Sequence, residues 1–390
     1  MVILNNIFLM LLLTCFLSLP LPAIATDPPR ARDLNIPFDG KPGEWNAITD
    51  VSGVTVGFET IVRDFPGKKA IRTGVTAILP RGEDSNHHPV FGGWFSLNGN
   101  GEMTGTTWLE ESGFVEGPIM ITNTHSVGAV HEGTIRWRFE NGAADSSGYW
   151  WSLPVIAETW DGYLNDINGF HVRPHHAAAA IEAAKSGPVT EGNVGGGTAM
   201  NCFEYKCGTG TSSRITETAG REYTVGVLVQ ANFGRRDNLI IAGVPVGKHL
   251  QNNLFSSLTP QLSGVGSIII VVGTDAPLLP HQLKRLSRRA ALGLSRTGSI
   301  ASNGSGDIFI SFSTANEAVD QINTDVSIRA ISNEDIVPLF GATVQATEEA
   351  IINALVAGRT MTGNRGNTVT AIDHKALQEV LRQYNRLAED

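Results

Sequence analysis

A run of five β-branched residues constrains the fold of this chain more than any other feature of its sequence. Residues 268–272 read Ile-Ile-Ile-Val-Val and directly follow Gly266 and Ser267. β-branched side chains favour extended backbone, and an apolar run without alternation indicates a strand that is buried on both of its faces. Such a strand needs a layer of structure on each side, and the sequence therefore predicts a layered domain.

Patterns elsewhere predict strands and helices without the strict alternation of βαβ units. Of the 390 residues, 42% are hydrophobic and 17% are charged, which is typical of a globular protein with a substantial core. No internal repeat or linker is apparent, and this favours a single α+β domain. Strands are predicted at residues 51–60, 73–79, 92–97, 223–231, 239–246, 307–314 and 324–331, helices at 175–185, 281–295, 347–358 and 374–388, and a loop across the glycine-rich residues 195–214.

The charge balance and the cysteine count exclude two classes of protein. The net charge of −9 argues against nucleic-acid binding, which needs a basic surface. Three cysteines are too few for a disulfide-stabilised scaffold. Cys15 lies in the N-terminal segment, so the body of the chain keeps only Cys202 and Cys207. Two interpretations of that pair stay open: a small disulfide, or two small buried side chains in a glycine-rich loop.

The N-terminus has the pattern of an export signal. Residues 1–25 contain no charged side chain, residues 7–19 are almost wholly apolar, and Ala23-Ile-Ala25 provides a small-x-small cleavage site. A membrane anchor is the alternative, but prolines interrupt the run before it reaches the ~20 residues that span a bilayer. We therefore predict a signal peptide over residues 1–25. The mature chain, residues 26–390, is predicted to be periplasmic or secreted and free of the membrane.

The sequence shows no established metal-binding or phosphate-binding motif. His171, His175 and His176 form a cluster, but Arg173 and Pro174 interrupt it, and no His-Glu-x-x-His is present. A role at the start of a helix suits these histidines better than a zinc site. The glycine-rich segment lacks the Gly-Lys-Ser/Thr of a phosphate-binding loop, and no Gly-x-Ser-x-Gly occurs. We expect neither a metal nor an organic cofactor.

Ser267 is a candidate nucleophile because of where it stands. It is a small hydroxyl residue at the head of the predicted buried strand. If the bond between Gly266 and Ser267 were cut, Ser267 would carry a free α-amine with a pKa of about 7.7–8.0. That amine can act as a base beside its own hydroxyl, without a histidine.

At these residues the chain resembles a known family. It is similar to the DmpA family, the L-aminopeptidase/D-Ala-esterase-amidases, which includes the β-peptidyl aminopeptidases. The similarity spans nearly the whole mature chain. The blocks that carry it begin at Arg30 (Arg-Ala-Arg-Asp-Leu), Asn46 (Asn-Ala-Ile-Thr-Asp-Val), Leu153 (Leu-Pro-Val-Ile-Ala-Glu-Thr), Asp161 (Asp-Gly-Tyr-Leu-Asn-Asp), Gly192 (Gly-Asn-Val-Gly-Gly-Gly-Thr), Gly208 (Gly-Thr-Gly-Thr-Ser-Ser-Arg), Val227 (Val-Leu-Val-Gln-Ala-Asn-Phe-Gly), Gly266 (Gly-Ser-Ile-Ile-Ile-Val), Thr274 (Thr-Asp-Ala-Pro) and Ser305 (Ser-Gly-Asp-Ile-Phe).

The resemblance implies both a fold and a maturation by self-cleavage. It implies an αββα sandwich like that of N-terminal-nucleophile hydrolases, made as an inactive precursor that cuts itself between Gly266 and Ser267. The products would be an α chain, residues 26–266, and a β chain, residues 267–390. It also implies a homo-oligomer of such αβ units.

The resemblance further implies roles for side chains around Ser267. Ser305 and Asp307 match positions that orient the nucleophile and complete the proton network. Asn232 matches an asparagine that stabilises the oxyanion, and Glu158 an acidic residue that holds the substrate's free amine. Trp160 stands where some members have a tyrosine that helps the oxyanion. Because tryptophan lacks that hydroxyl, this donor is lost or replaced, and the substrate preference is expected to differ.

The sequence therefore predicts an exported, self-processing serine aminopeptidase or amidase. It would release N-terminal residues from short peptides, amides or esters through an acyl-enzyme at Ser267. Two alternatives stay open: an acyltransferase of related fold, and a non-catalytic binding protein on the same scaffold. Without the resemblance, Asn232 and Ser305 would be interpreted only as turn residues beside strands.

Overall fold

The computed structural model describes residues 28–143, 147–250, 265–317, 319 and 325–388. The predicted signal peptide lies outside these residues. Within the described ranges, no helix is both long and apolar enough to cross a membrane.

Two β-sheets form the centre of the molecule. The larger has six strands in the order β4-β3-β12-β11-β10-β9, and the smaller has four in the order β1-β2-β5-β6. The strands of the large sheet are β3 (Val90–Gly99), β4 (Phe114–Val115), β9 (Thr209–Thr218), β10 (Arg221–Asn232), β11 (Val265–Thr274) and β12 (Gly304–Ser313). The strands of the small sheet are β1 (Thr55–Asp64), β2 (Ala70–Glu83), β5 (Ile119–Asn123) and β6 (Val155–Thr159).

Strand β11 carries the β-branched run and lies inside the large sheet. It pairs antiparallel with β10 and parallel with β12. Ile269 and Val271 point into the core between the two sheets, whereas Ile268, Ile270 and Val272 point to the other face. All five side chains are fully buried. The predicted strand that is buried on both faces is confirmed.

Helices cover the outer face of each sheet. One core contains the outward side chains of β11, Leu283 and Leu286 of α4 (Pro280–Arg296) and Ile351 of α5 (Val337–Val356). Ala177 and Ile181 of α3 pack with α2 against the outer face of the small sheet. The order of layers is helix, sheet, sheet, helix, so the expected αββα sandwich is confirmed. The helices are α1 (Thr106–Ser112), α2 (Val127–Glu140), α3 (Pro174–Glu182), α4 (Pro280–Arg296), α5 (Val337–Val356) and α6 (His374–Gln383).

Strand β9 lies where the sequence predicted a loop. Its residues are small and polar, but it forms the edge of the large sheet and is covered by α5. Gly210 makes this contact possible, because a Cβ there would lie 2.1 Å from the carbonyl oxygen of Ala350. The prediction of a loop was wrong because small residues at a close helix–sheet contact resemble turn residues in sequence.

Two strand predictions were also wrong. Residues 239–246 are apolar, and Leu239, Ile241, Val244 and Val246 are buried, yet the segment turns between two short 3₁₀ helices, Arg236–Asn238 and Val246–Lys248. Their only pairing within the described chain is a bridge between Ile241 and Val244. Residues 325–331 have no regular structure. In the first segment apolar side chains are buried against the core without a partner strand, whereas in the second only Ile331 is buried and Ile328 is exposed.

Cys202 and Cys207 form a disulfide. It closes a hairpin made of β7 (Asn201–Cys202) and β8 (Tyr205–Lys206). Of the two interpretations that the sequence left open, the structure supports the disulfide. A second short hairpin joins β13 (Met361–Thr362) and β14 (Thr368–Val369).

We predict that Gly210→Ala destabilises the fold. The new methyl group would meet the backbone of α5, which cannot rotate away as a side chain can. Overpacking of this kind costs about 1–3 kcal/mol in the free energy of unfolding, measured by urea unfolding. The matched control is Gly341→Ala in the same helix, where nothing lies within 4 Å of the new Cβ. It should stabilise the helix by about 0.5–1 kcal/mol, and equal effects of the two changes would contradict the prediction.

Candidate active site

Ser267 lies in the hydrogen-bonded ladder near the start of β11. Asn232 of β10 stands opposite it on one side and Gly306 of β12 on the other. Its side chain is buried, and its hydroxyl donates a hydrogen bond of 2.7 Å to the carbonyl oxygen of Gly266. The backbone N–H of Gly306 donates to the same hydroxyl at 3.3 Å. The nucleophile predicted from sequence is therefore fixed beside the carbonyl of the bond that would be cut.

Two glycines allow other backbone segments to approach Ser267 closely. A Cβ at Gly266 would lie 2.3 Å from the carbonyl oxygen of Asn232, and a Cβ at Gly306 would lie 2.4 Å from that of Asn100. Real Cβ atoms do not come so close to backbone. Packing therefore requires glycine both at Gly266, which precedes Ser267 in the chain, and at Gly306, which faces Ser267 from β12.

Ser305 and Asp307 stand one residue to each side of Gly306 on β12. The Ser305 hydroxyl donates to Asp307 Oδ1 at 2.6 Å, and both side chains are buried. Burial raises the pKa of Asp307 to about 6, although the hydrogen bond from Ser305 acts in the opposite direction. At neutral pH this carboxylate is largely ionised and orients the Ser305 hydroxyl.

Asn232 is held in one orientation by two hydrogen bonds. Its Oδ1 accepts from the backbone N–H of Asn201 at 2.9 Å, and its Nδ2 donates to the carbonyl oxygen of Trp160 at 2.9 Å. Because one partner is a donor and the other an acceptor, the amide cannot be reversed. The amide nitrogen carries a second hydrogen, which is available for a ligand at Ser267.

The disulfide hairpin supplies the N–H that orients Asn232. Asn201 belongs to β7, which leads directly into the Cys202–Cys207 bridge. The ammonium of Lys206, buried in this hairpin, donates to the carbonyl oxygens of Met200 and Cys207. Burial lowers the pKa of Lys206 well below its usual value. Sequence reasoning missed Asn201 and Lys206 because their contacts involve backbone groups, for which no residue type is a signal.

Glu158 approaches the site from the small sheet, at the end of β6. One carboxylate oxygen accepts from the backbone N–H of Glu102 at 3.1 Å, and the other accepts from the Thr124 hydroxyl. A Cβ at Gly101 would lie 3.3 Å from Glu158 Oε1 and 3.1 Å from the Cα of Gly306. The loop that contains Gly101 therefore lies directly between Glu158 and β12, the strand that carries Gly306. Burial raises the pKa of Glu158, and the bonds from Thr124 and Glu102 oppose that rise.

Trp160 lies just beyond β6, and its contact with the site is through its backbone carbonyl. That oxygen accepts from Asn232, as described above. The side chain is partly exposed and lines a cleft of about 610 Å³. Through this carbonyl, Trp160 helps to hold the Asn232 amide in one orientation.

The histidines have structural contacts. His176 Nδ1 accepts from the backbone N–H of Arg173 in the first turn of α3. His171 Nε2 lies 2.8 Å from Asp166 Oδ2. Among the residues that the structure describes, no group of three or more His, Cys, Asp or Glu side chains is arranged to hold a metal ion.

An αββα sandwich with a buried serine near the start of a central strand fits the fold of the N-terminal-nucleophile hydrolases. The chain belongs to peptidase family S58, whose model matches residues 46–369. It is accordingly a serine aminopeptidase or amidase, as the sequence predicted.

Relatives of known name agree with this assignment. The chain is 52% identical over 384 residues to the β-peptidyl aminopeptidase BapA of Sphingosinicella microcystinivorans, with 94% of this chain and 95% of the relative covered. It is 44% identical to the BapA of Sphingosinicella xenopeptidilytica, with 91% of each chain covered.

A solved structure agrees as well. The L-aminopeptidase D-Ala-esterase/amidase of Ochrobactrum anthropi superposes with a TM-score of 0.87 at 49% identity, covering 92% of this chain and all of that one. It is described as a prototype of the serine aminopeptidases and a variant of the Ntn hydrolase fold.

We predict that Cys202→Ala/Cys207→Ala lowers kcat more than it raises KM. Without the bridge the hairpin holds the Asn201 N–H less firmly, and the Asn232 amide loses its orientation. Loss of an oxyanion donor costs about 10²–10³ in rate, so a donor that is only loosened should cost about tenfold. The measurement is hydrolysis of an aminoacyl p-nitroanilide.

A double-mutant cycle separates this effect from general destabilisation. In an Asn232→Ala background the cysteine changes should lower kcat no further. An equal loss with and without Asn232 would show that the hairpin acts only on the fold.

Proposed function

We propose that the chain is an exported, self-processing serine aminopeptidase that releases N-terminal residues from short peptides, amides and esters. The observation that carries the proposal is the position of the Ser267 hydroxyl, 2.7 Å from the carbonyl oxygen of Gly266 and opposite Asn232. The family assignment supports peptide or amide hydrolysis. Self-cleavage, export and the roles of single residues are our inference.

Self-cleavage would use the same serine as turnover. The Ser267 oxygen attacks the Gly266 carbonyl carbon, the C–N bond breaks, and the α-amine of Ser267 takes a proton as an ester forms. Water then hydrolyses the ester and leaves a carboxyl group on Gly266. A cavity of about 10 Å³ lined by Gly266 and Ser305 has room for about one water molecule. The products would comprise residues 26–266 and 267–390.

In turnover the freed α-amine would be the general base. It accepts the Ser267 hydroxyl proton, directly or through Ser305, as the hydroxyl attacks the substrate carbonyl. The second Nδ2 hydrogen of Asn232 donates to the developing oxyanion. The leaving amine departs with a proton, and water hydrolyses the acyl-enzyme. Asp307 keeps the Ser305 hydroxyl directed within this network.

Glu158 would restrict the enzyme to substrates with a free amino group. Its carboxylate is buried, its hydrogen-bond donors among the described residues are the neutral Thr124 hydroxyl and Glu102 N–H, and burial raises its pKa. A substrate ammonium supplies the missing positive charge and favours the ionised carboxylate. An acylated amine lacks that charge and should not bind.

The substrate class follows from the relatives. Two relatives are named β-peptidyl aminopeptidases, and a structural neighbour is named an L-aminopeptidase and D-Ala-esterase/amidase. We propose that N-terminal β-amino-acid residues are accepted along with α-amino-acid amides. Export rests on the pattern of residues 1–25. The disulfide supports it, because such bonds persist mainly in oxidising compartments.

Mass analysis and N-terminal sequencing test self-processing directly. The purified protein should contain two chains, the smaller beginning Ser-Ile-Ile-Ile-Val. Ser267→Ala should give a single uncut chain without activity on aminoacyl p-nitroanilides. The matched control is Ser295→Ala, an exposed serine in the last turn of α4, which should be cut. An uncut wild-type chain that turns over substrate would refute the mechanism.

The rate of self-cleavage should fall below about pH 6 in freshly translated precursor. Before the cut Ser267 has no free α-amine, so the acidic limb reports the carboxyl that orients Ser305. Burial raises the pKa of Asp307 to about 6, so it takes up a proton as the pH falls through that value and can no longer accept from Ser305. The measurement is the appearance of the smaller chain across the pH range.

Asp307→Glu tests the assignment of that limb. It keeps a carboxyl on a longer side chain, so the midpoint should move. A midpoint that stays in place would assign the limb to another group, such as Asp161, whose pKa burial raises to about 7.

A further inference from the structure

A cleft opens beside the candidate active site and has no role in the mechanism above. Its volume is about 610 Å³, within the usual range of about 300–1,000 Å³ for small-molecule sites. One wall is the segment that follows β6, and the other is the turn that joins β13 to β14. The lining residues used below are His125, Trp160, Tyr163, Asp166, Arg365 and Asn367.

Two lining residues of the cleft, Trp160 and His125, connect it to active-site groups. The Trp160 carbonyl accepts from Asn232, which stands opposite Ser267. His125 follows Thr124, whose hydroxyl donates to Glu158. A substrate with its amine at Glu158 and its carbonyl at Ser267 would therefore have this cleft as its neighbour.

The second wall presents one arginine on an ordered turn. The backbone N–H of Asn364 donates to the Leu164 carbonyl at 2.7 Å, and Asn367 Nδ2 donates to the Tyr163 carbonyl at 2.8 Å. These bonds fix the turn to the first wall. Arg365, between them, has a left-handed backbone with φ of 61° and is exposed. Within the described part of the chain, no hydrogen bond or ion pair engages its guanidinium.

The acidic residue of the cleft does not neutralise Arg365. Asp166 is bonded to Lys69 at 2.8 Å and to His171 at 2.8 Å. The cleft thus offers a positive charge at Arg365, while Glu158, bonded to Thr124 next to the cleft residue His125, offers a negative one. This separation of charge matches a short zwitterion with its ammonium inward and a carboxylate outward.

We propose that Arg365 binds a carboxylate of the substrate, so that the preferred substrates are short peptides with a carboxylate as well as a free amine. A guanidinium can hold a carboxylate through two parallel N–H···O bonds. The carboxylate has two possible sources, the C-terminus of the departing peptide or an acidic side chain on the released residue. The inference rests on the proposed function, because it takes Glu158 as the amine site.

The test compares matched substrates. A dipeptide with a free C-terminus is compared with its C-terminal amide, and an amide with an N-terminal aspartyl residue with its asparaginyl counterpart. Wild type should show a higher kcat/KM for one carboxylate-bearing member, mostly through KM. Arg365→Gln should lower that ratio about fivefold, as expected for a partly exposed ion pair, and Arg365→Lys should lower it less. Arg359→Gln, an exposed arginine outside the cleft, should leave the ratio unchanged.

Each outcome decides a separate point. A preference in the first pair assigns the carboxylate to the departing peptide, and one in the second pair assigns it to the released residue. Hydrolysis of all four substrates with ratios that Arg365→Gln does not change would overturn the carboxylate site and leave the proposed function standing. Hydrolysis of none of them would overturn both.

Discussion

The register of β11 between β10 and β12 is the constraint on which the rest of the site depends. It places Ser267 between Asn232 and Gly306 and sets Ser305 and Asp307 to either side of Gly306 on the same neighbouring strand. A ladder flanked by strands on both sides allows little movement, since any shift would break backbone hydrogen bonds on both edges. The groups proposed to react are therefore fixed by the large sheet, whereas those proposed to select substrates lie outside it, Glu158 on β6 of the small sheet and Arg365 on a turn.

A second set of contacts orients the side chains that the sheet positions. The Asn232 amide is held by the N–H of Asn201 as well as by the Trp160 carbonyl, and that N–H belongs to a hairpin closed by a disulfide and a buried lysine. Glu158 comes from the other sheet and is kept near Ser267 by the closeness of Gly101 to Gly306. Burying polar groups this deeply is costly unless each has a hydrogen-bond partner. Those partners come from segments attached to both sheets.

Local patterns predicted the buried strand and a layered α+β domain, because continuous apolar runs and helical spacing are local signals. They also predicted α3, α4, α6 and the second half of α5. The roles of Ser267, Asn232 and Glu158 came from family resemblance, since a glycine-serine pair or an Asn-Phe-Gly turn is common. Their assembly into one site depends on long-range register that no local pattern encodes. Strand β9 was missed because its small residues, suited to the close approach of α5, resemble a loop.

The order of strands in the large sheet has a consequence for the lifetime of the enzyme. Strand β12 and all of β11 except its first two residues follow the proposed cut, and the pairs on both sides, β4-β3 and β10-β9, precede it. Neither product would hold the complete large sheet, so the two chains could part only by global unfolding. Once parted, they would have to meet again as separate molecules, without the tether that guided their first assembly. Because reassembly is not expected, the active lifetime of such an enzyme would depend on its rate of unfolding rather than on its equilibrium free energy of unfolding.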